Sequence, residues 1–132
     1  MITVELSRRL ADAGLEWHPV SGDRFVIAER DMDAHVFVVS DMTIEAESLA
    51  SGGLLKFNGT TEWALDSVDQ AGALWLPRED QLRDALGPAF VRLERTDVGW
   101  AVTTTGPAGE ARTEHADAED AYGAALLGVL TA

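Results

Sequence analysis

The chain opens with apolar positions at helical spacing. Leu6, Leu10 and Ala13 share one face, while Glu5 and Arg9 sit four apart on another. Thr3 precedes the run as an N-cap and Gly14 follows as a left-handed stop, which predicts a short first helix. From Leu15 the period changes. Leu15 and Trp17 on one side and Arg24–Ala28 on the other flank Ser21-Gly22-Asp23, the pattern of a hairpin with Pro19 close to its turn. His35–Val39 is apolar on both faces after the histidine, which predicts an interior strand. Residues 42–50 fit two templates: Ile44 and Ala46 alternate with Glu45 and Glu47 as in a strand, and Asp41 can cap a helix. Gly52-Gly53 and Asn58-Gly59 then bracket a strand over Leu54–Phe57.

Thr60 or Thr61 caps a two-turn helix over Glu62–Val68, and Ala73–Leu76 reads as a short strand. Pro77 suits a first helical position and Gly87-Pro88 a stop, with Leu82, Ala85 and Leu86 on one face between them. Val91 and Leu93 alternate with Arg92 and Glu94, Thr96-Asp97-Val98-Gly99 turns the chain, and Trp100 and Val102 alternate on the return. Ala111–Glu114 adds an edge strand. A last helix starts near Asp117 and carries an apolar stripe from Ala118 to Leu130. Helices and antiparallel hairpins interleave irregularly, with no linker and no repeat of fixed period. The expectation is a single α+β domain over residues 1–132, an antiparallel sheet covered on one face by the first, third and last helices.

Charge narrows the partners. The formal net charge is −13, and the acidic excess is spread over both halves of the chain. Such a field repels phosphate backbones and anionic lipid, so direct nucleic-acid binding is not expected. With no cysteine there is neither a disulfide framework nor a thiolate metal site. No apolar run suits a signal peptide or a membrane span, and the expected compartment is the cytoplasm, with no membrane partner.

Candidate chemistry is sparse. Asp31, Asp33 and His35 alternate as divalent-metal ligands could, with Asp41 six residues beyond His35. The calcium-loop test fails, because the sixth position is not glycine and the twelfth is Met42. A polar turn ahead of a strand accounts for the same residues. His115, Asp117, Glu119 and Asp120 form a second cluster, where acids at a helix N-terminus suit its dipole. His18 reads as a sheet-edge residue. Ser51-Gly52-Gly53-Leu54-Leu55-Lys56 lacks the spacing of a phosphate loop, and no nucleophile elbow or zinc-helix motif occurs. No cofactor is expected, and the balance leans away from an enzyme.

Trp17, Trp63, Trp75 and Trp100 each suit a core, yet tryptophan is also enriched at interface hot spots. Trp63 sits on a helix too short to be stable alone, so its ring must dock on something. Glu62, Trp63, Asp66 and Trp75 are therefore the expected partner surface of a protein-interaction or accessory module. The alternatives are a small metal-dependent hydrolase-like enzyme and an acidic nucleic-acid mimic. From Ala121 to Ala132 no side chain is charged. A surface helix ordinarily keeps a charged face toward water, so this one is covered on more than one side. Its cover is either the chain's own core or, in a homodimer, a second subunit.

Two segments, residues 57–68 (FNGTTEWALDSV) and 75–83 (WLPREDQLR), together with Val36-Phe37-Val38-Val39-Ser40-Asp41-Met42, resemble a group of small proteins of Gram-positive bacteria, some of which carry a pilus-assembly label. The resemblance covers roughly residues 1–95 and implies no catalytic residues. More loosely, the second half resembles small proteins of phage and mobile elements in its order: Leu-Pro before a helix, a Trp-bearing hairpin, then an Ala/Leu-rich helix. That resemblance implies no activity either.

Overall fold

The computed structural model describes residues 1–27, 32–39, 54–56, 67–69 and 73–132. Among the described residues, three α-helices and antiparallel sheets make an α+β fold, as expected. The chain divides into two compact units: Met1–Glu16 with Pro77–Ala132, and Trp17–Leu76.

In the discontinuous unit, α1 (Val4–Asp12) starts where the Thr3 side chain accepts a hydrogen bond from the Leu6 N–H, 3.2 Å. It ends at Ala13, followed by Gly14 at φ 109°. The second helix, α2 (Glu79–Leu86), begins two residues after Pro77, with Arg78 as N-cap and Gln81 Oε1 accepting from the Arg78 N–H. Leu82 and Leu86 are buried there, whereas Ala85 faces solvent. A 3₁₀ turn over Gly87–Ala89 leads into the meander β6 (Phe90–Arg95), β7 (Trp100–Gly106) and β8 (Gly109–His115), paired antiparallel in that order. Register pairs Leu93 with Val102 and Phe90 with Thr104, so a bulge at Val91 brings Phe90 and Leu93 onto one face although they are three residues apart. The central strand buries Ala101, Val102, Thr103 and Thr104.

The last helix, α3 (Ala118–Leu130), is capped by Asp117, whose Oδ1 accepts from the Glu119 and Asp120 N–H groups at 2.8 and 3.2 Å. It packs on β7 and β8 and is flanked by α1 and α2. The helical layer thus meets the sheet mainly through α3, with α1 and α2 held against α3 rather than laid side by side on the strands. Ala121, Tyr122, Ala125 and Leu126 are buried, but the apolar stripe does not stay covered to its end: Val129 is 39% and Leu130 37% exposed.

In the second unit, β1 (Arg24–Ile27) lies between β2 (Met32–Val38) and β5 (Ala73–Leu76), all antiparallel. A smaller pair joins β3 (Leu54–Lys56) to β4 (Ser67–Asp69). Three expectations change here. The arm over residues 15–20 is not a strand; Asp23 holds it through its side chain, accepting from the Trp17 indole N–H at 2.9 Å and the Val20 N–H at 3.0 Å. The strand expected in the interior, β2, is an outer strand of its sheet, with Val36 and Val38 exposed, and β1 takes the centre. Val68, expected in a helix, is paired in β4 with Leu55; the rest of that helix, and residues 42–50, lie outside the described residues. Among the described residues Phe25, Ile27 and Val39 form a buried apolar cluster in this unit, with Trp17, Phe37 and Ala73 packed against it.

Candidate functional site

Around α3 each flank can be assigned from one residue, because successive side chains are turned by about 100°. Tyr122 points toward α2 and β6: its ring lies 5.7 Å from that of Phe90, and its hydroxyl accepts from Arg83 Nη1 at 3.4 Å. Gly123 points at α1, where a Cβ would stand 2.8 Å from Leu6 Cδ2 and 2.9 Å from Ile2 Cδ1. Ala125 faces β7 and β8, sharing a cleft of about 220 Å³ with Thr104, Ala111 and Thr113. That leaves the flank of Ala124, Leu127 and Gly128. There a groove of about 690 Å³ opens between α3 and the Leu6, Arg9 and Ala13 side of α1, reaching His115 at the end of β8. Gly128 lines both spaces, and a Cβ on it would meet nothing within 4 Å. The open flank therefore lies on the β8 side of the helix, opposite α2.

The acidic cluster at the start of α3 has a structural task. Glu119 Oε1 accepts from the Ile2 N–H at 3.1 Å, Asp120 Oδ1 from the Thr3 N–H at 3.0 Å, and Glu119 Oε2 from the Glu79 N–H at 3.1 Å. Asp117 Oδ2 accepts from the Met1 α-ammonium at 2.9 Å. These carboxylates satisfy backbone donors at the starts of α1 and α2, where a helix has no internal partner for them. The hydrogen bond from the Met1 ammonium, aided by the Asp120 and Glu119 N–H groups, holds the Asp117 carboxyl below its ordinary range against the opposing effect of burial.

The face of the meander away from α3 carries charges of both signs in rows. Arg92, Thr103 and Arg112 stand opposite one another, and Glu94, Ala101 and Glu114 form the next row. Glu94 Oε1 bridges the rows, 3.6 Å from Arg92 Nε and 3.5 Å from Arg112 Nε. At the end of the sheet Arg95 lies over the Trp100 ring, 5.8 Å from its centroid.

Of the residues singled out from sequence, Asp31, Glu62, Trp63 and Asp66 lie outside the described residues, as do the side chains of Asp33 and His35 on β2. Among the described residues no group of three or more His, Asp or Glu side chains is placed to hold a metal ion. Trp75 is half-buried in an aromatic row across the sheet of the second unit. Phe25 pairs with both Phe37 and Trp75, and Trp17 stacks on Trp75 at 6.3 Å and 8°. The Trp75 indole N–H is buried and has no hydrogen-bond partner among the described residues. His18 is exposed outside any strand. Sequence reasoning passed over Glu110, Arg112 and Glu114, whose alternation along β8 was the available signal.

No family model matches this chain, and neither a curated protein nor a solved structure does. Among the described residues no helix is long and apolar enough to cross a membrane.

Proposed function

We propose that this protein is a non-enzymatic interaction module and that the open flank of α3 is its docking surface. One observation carries the reading. The helix has no charged side chain after Asp120, yet its Ala124–Leu127–Gly128 flank is left beside an open groove rather than under the other helices. Water is a poor neighbour for such a face, and a partner that covers it gains the apolar area removed from solvent. The Trp63 and Trp75 region remains part of the same proposal as a second contact.

The absence of cysteine makes the test direct. A Gly128→Cys variant labelled with a photo-crosslinker is expected to give a discrete protein adduct, whereas the same label at Asp97 in the exposed β6–β7 turn gives none. Equal labelling at both sites, or no adduct at position 128, overturns the assignment. Space around Gly128 means the label itself does not disturb the helix.

A further inference from the structure

We infer that the occupant of this flank is a second copy of the chain, joined through the outer edge of β8 so that two three-stranded meanders run into one continuous sheet. The inference rests on the docking reading above and names its partner. Three observations carry it.

The edge is open. β8 ends its sheet, and Glu110, Ala111, Arg112, Glu114 and His115 are all exposed. The other outer strand, β6, is protected by its bulge at Val91, but β8 pairs with β7 without a break from His115 to Gly109. Gly106 and Gly109 are register partners across a two-residue turn, Pro107-Ala108, and hairpin geometry makes the residues that flank such a turn a bonded pair. By antiparallel alternation, the backbone groups of Glu110, Arg112 and Glu114 then point away from β7, toward a further strand.

The charges on that edge complement themselves in only some registers. An antiparallel pairing centred on Arg112 would oppose Arg112 with itself and Glu110 with Glu114. Centred on Thr113, it opposes Arg112 with the partner's Glu114 and Glu114 with the partner's Arg112, with the two Thr113 residues facing each other. The same two-fold faces each side chain to the same side of the joined sheet, and it aligns the outward backbone groups of Arg112 and Glu114 for bonding. Glu94, already beside Arg112, extends the alternation of sign across the junction.

The helices then meet. Strands lie about 4.8 Å apart and α3 sits over β7 and β8, so the two-fold places the two copies of α3 about 10 Å from each other, the spacing of packed helices. They approach through the flank of Ala124 and Gly128, which is the uncharged one and the one left open on the β8 side. Edge and flank thus become a single interface.

Sedimentation equilibrium of the full chain at micromolar concentration is expected to give twice the 14.2 kDa chain mass. Arg112→Glu and Glu114→Arg, each alone, set like charges opposite one another and are expected to weaken self-association at least tenfold. An equimolar mixture of the two variants restores complementary pairs and is expected to recover a heterodimer. Circular dichroism confirms that each variant keeps its fold, and recovery on mixing cannot come from a misfolded chain. A monomeric wild type at all accessible concentrations overturns the inference, as does a dimer indifferent to both substitutions or a mixture that stays monomeric. Failure here while the label at position 128 captures a different protein leaves the docking reading standing. Recovery on mixing without any adduct at position 128 retains the edge pairing and removes the role of the helix flank.

Discussion

Two glycines five residues apart in α3 have opposite surroundings. Gly123 is where α1 crosses the helix, and a methyl group there would press on the ends of Leu6 and Ile2. Gly128 faces open space, so a methyl group costs nothing in contacts and removes the entropy penalty of glycine in a helix interior. Gly123→Ala gains the same helix preference but must push aside the ends of Leu6 and Ile2, so it is expected to be the less stable of the two alanine variants. Gly128→Ala in the monomer is expected to raise stability by about 0.4–1 kcal/mol. Urea unfolding of the two variants beside the wild type checks this order; equal effects would mean that α1 does not rest on Gly123. Sequence alone shows two glycines in an apolar helix and cannot separate them, because the difference lies in which neighbour each meets.

At the scale of elements, the caps and tight turns were the most legible features, because they depend on a few adjacent residues. Thr3, Gly14, Asp117 and the turn at 96–99 all act as their local chemistry predicts. What was not legible depends on contacts distant in sequence. Residues 15–20 carry an alternation that suits a strand, but Trp17 stacks on Trp75 and Asp23 takes the Val20 N–H, so no ladder forms there. The apolar run of β2 suggested an interior strand, yet β1 takes that place between β2 and β5. Asp117 shows how far a local cap reaches. Its carboxyl titrates below the value near 3.8 of an unstrained aspartate, so its contribution is fully present above that pH and is lost as pH falls through the lower folded value. Asp117→Ala is expected to cost about 1 kcal/mol at neutral pH. The gap from wild type narrows on acidification below the carboxylate range. Asp117→Asn keeps the cap and loses only the pH-dependent part. Denaturant titrations at neutral pH and near pH 3 test this; a gap independent of pH would show that the ionised form does no more than a neutral acceptor.

For the whole molecule, net charge matters more than any one pair. A charge of −13 on 132 residues repels itself in the folded chain, while the ion pairs around Glu94 and Asp117 lie at positions open to solvent and contribute little each. Raising salt from about 10 mM to 150 mM shortens the screening length from about 30 Å to 8 Å. The melting temperature is expected to rise across that range; a fall would mean that paired charges outweigh the repulsion. The α+β class was legible from the mixture of periods. The division into two units was not, because Met1–Glu16 returns to Pro77–Ala132 across sixty residues of another unit and nothing in the composition marks the return. The uncharged run of the last helix was also legible, but the side left open is decided by where α1 and α2 dock.

The grip of Asp117, Glu119 and Asp120 on the backbone of residues 1–3 and 79 sets an order of events during translation. The residues of the first helix leave the ribosome together with their capping residue Thr3, yet the carboxylates that hold its leading N–H groups are made some 117 residues later. Nine residues are too few to stay helical alone in water, so α1 waits as an unstructured leader. All of Trp17–Leu76 is synthesised in the meantime. The discontinuous unit closes only when α3 emerges. A stop between Leu76 and Asp117 therefore releases a chain that lacks the carboxylates which hold the backbone of residues 2, 3 and 79.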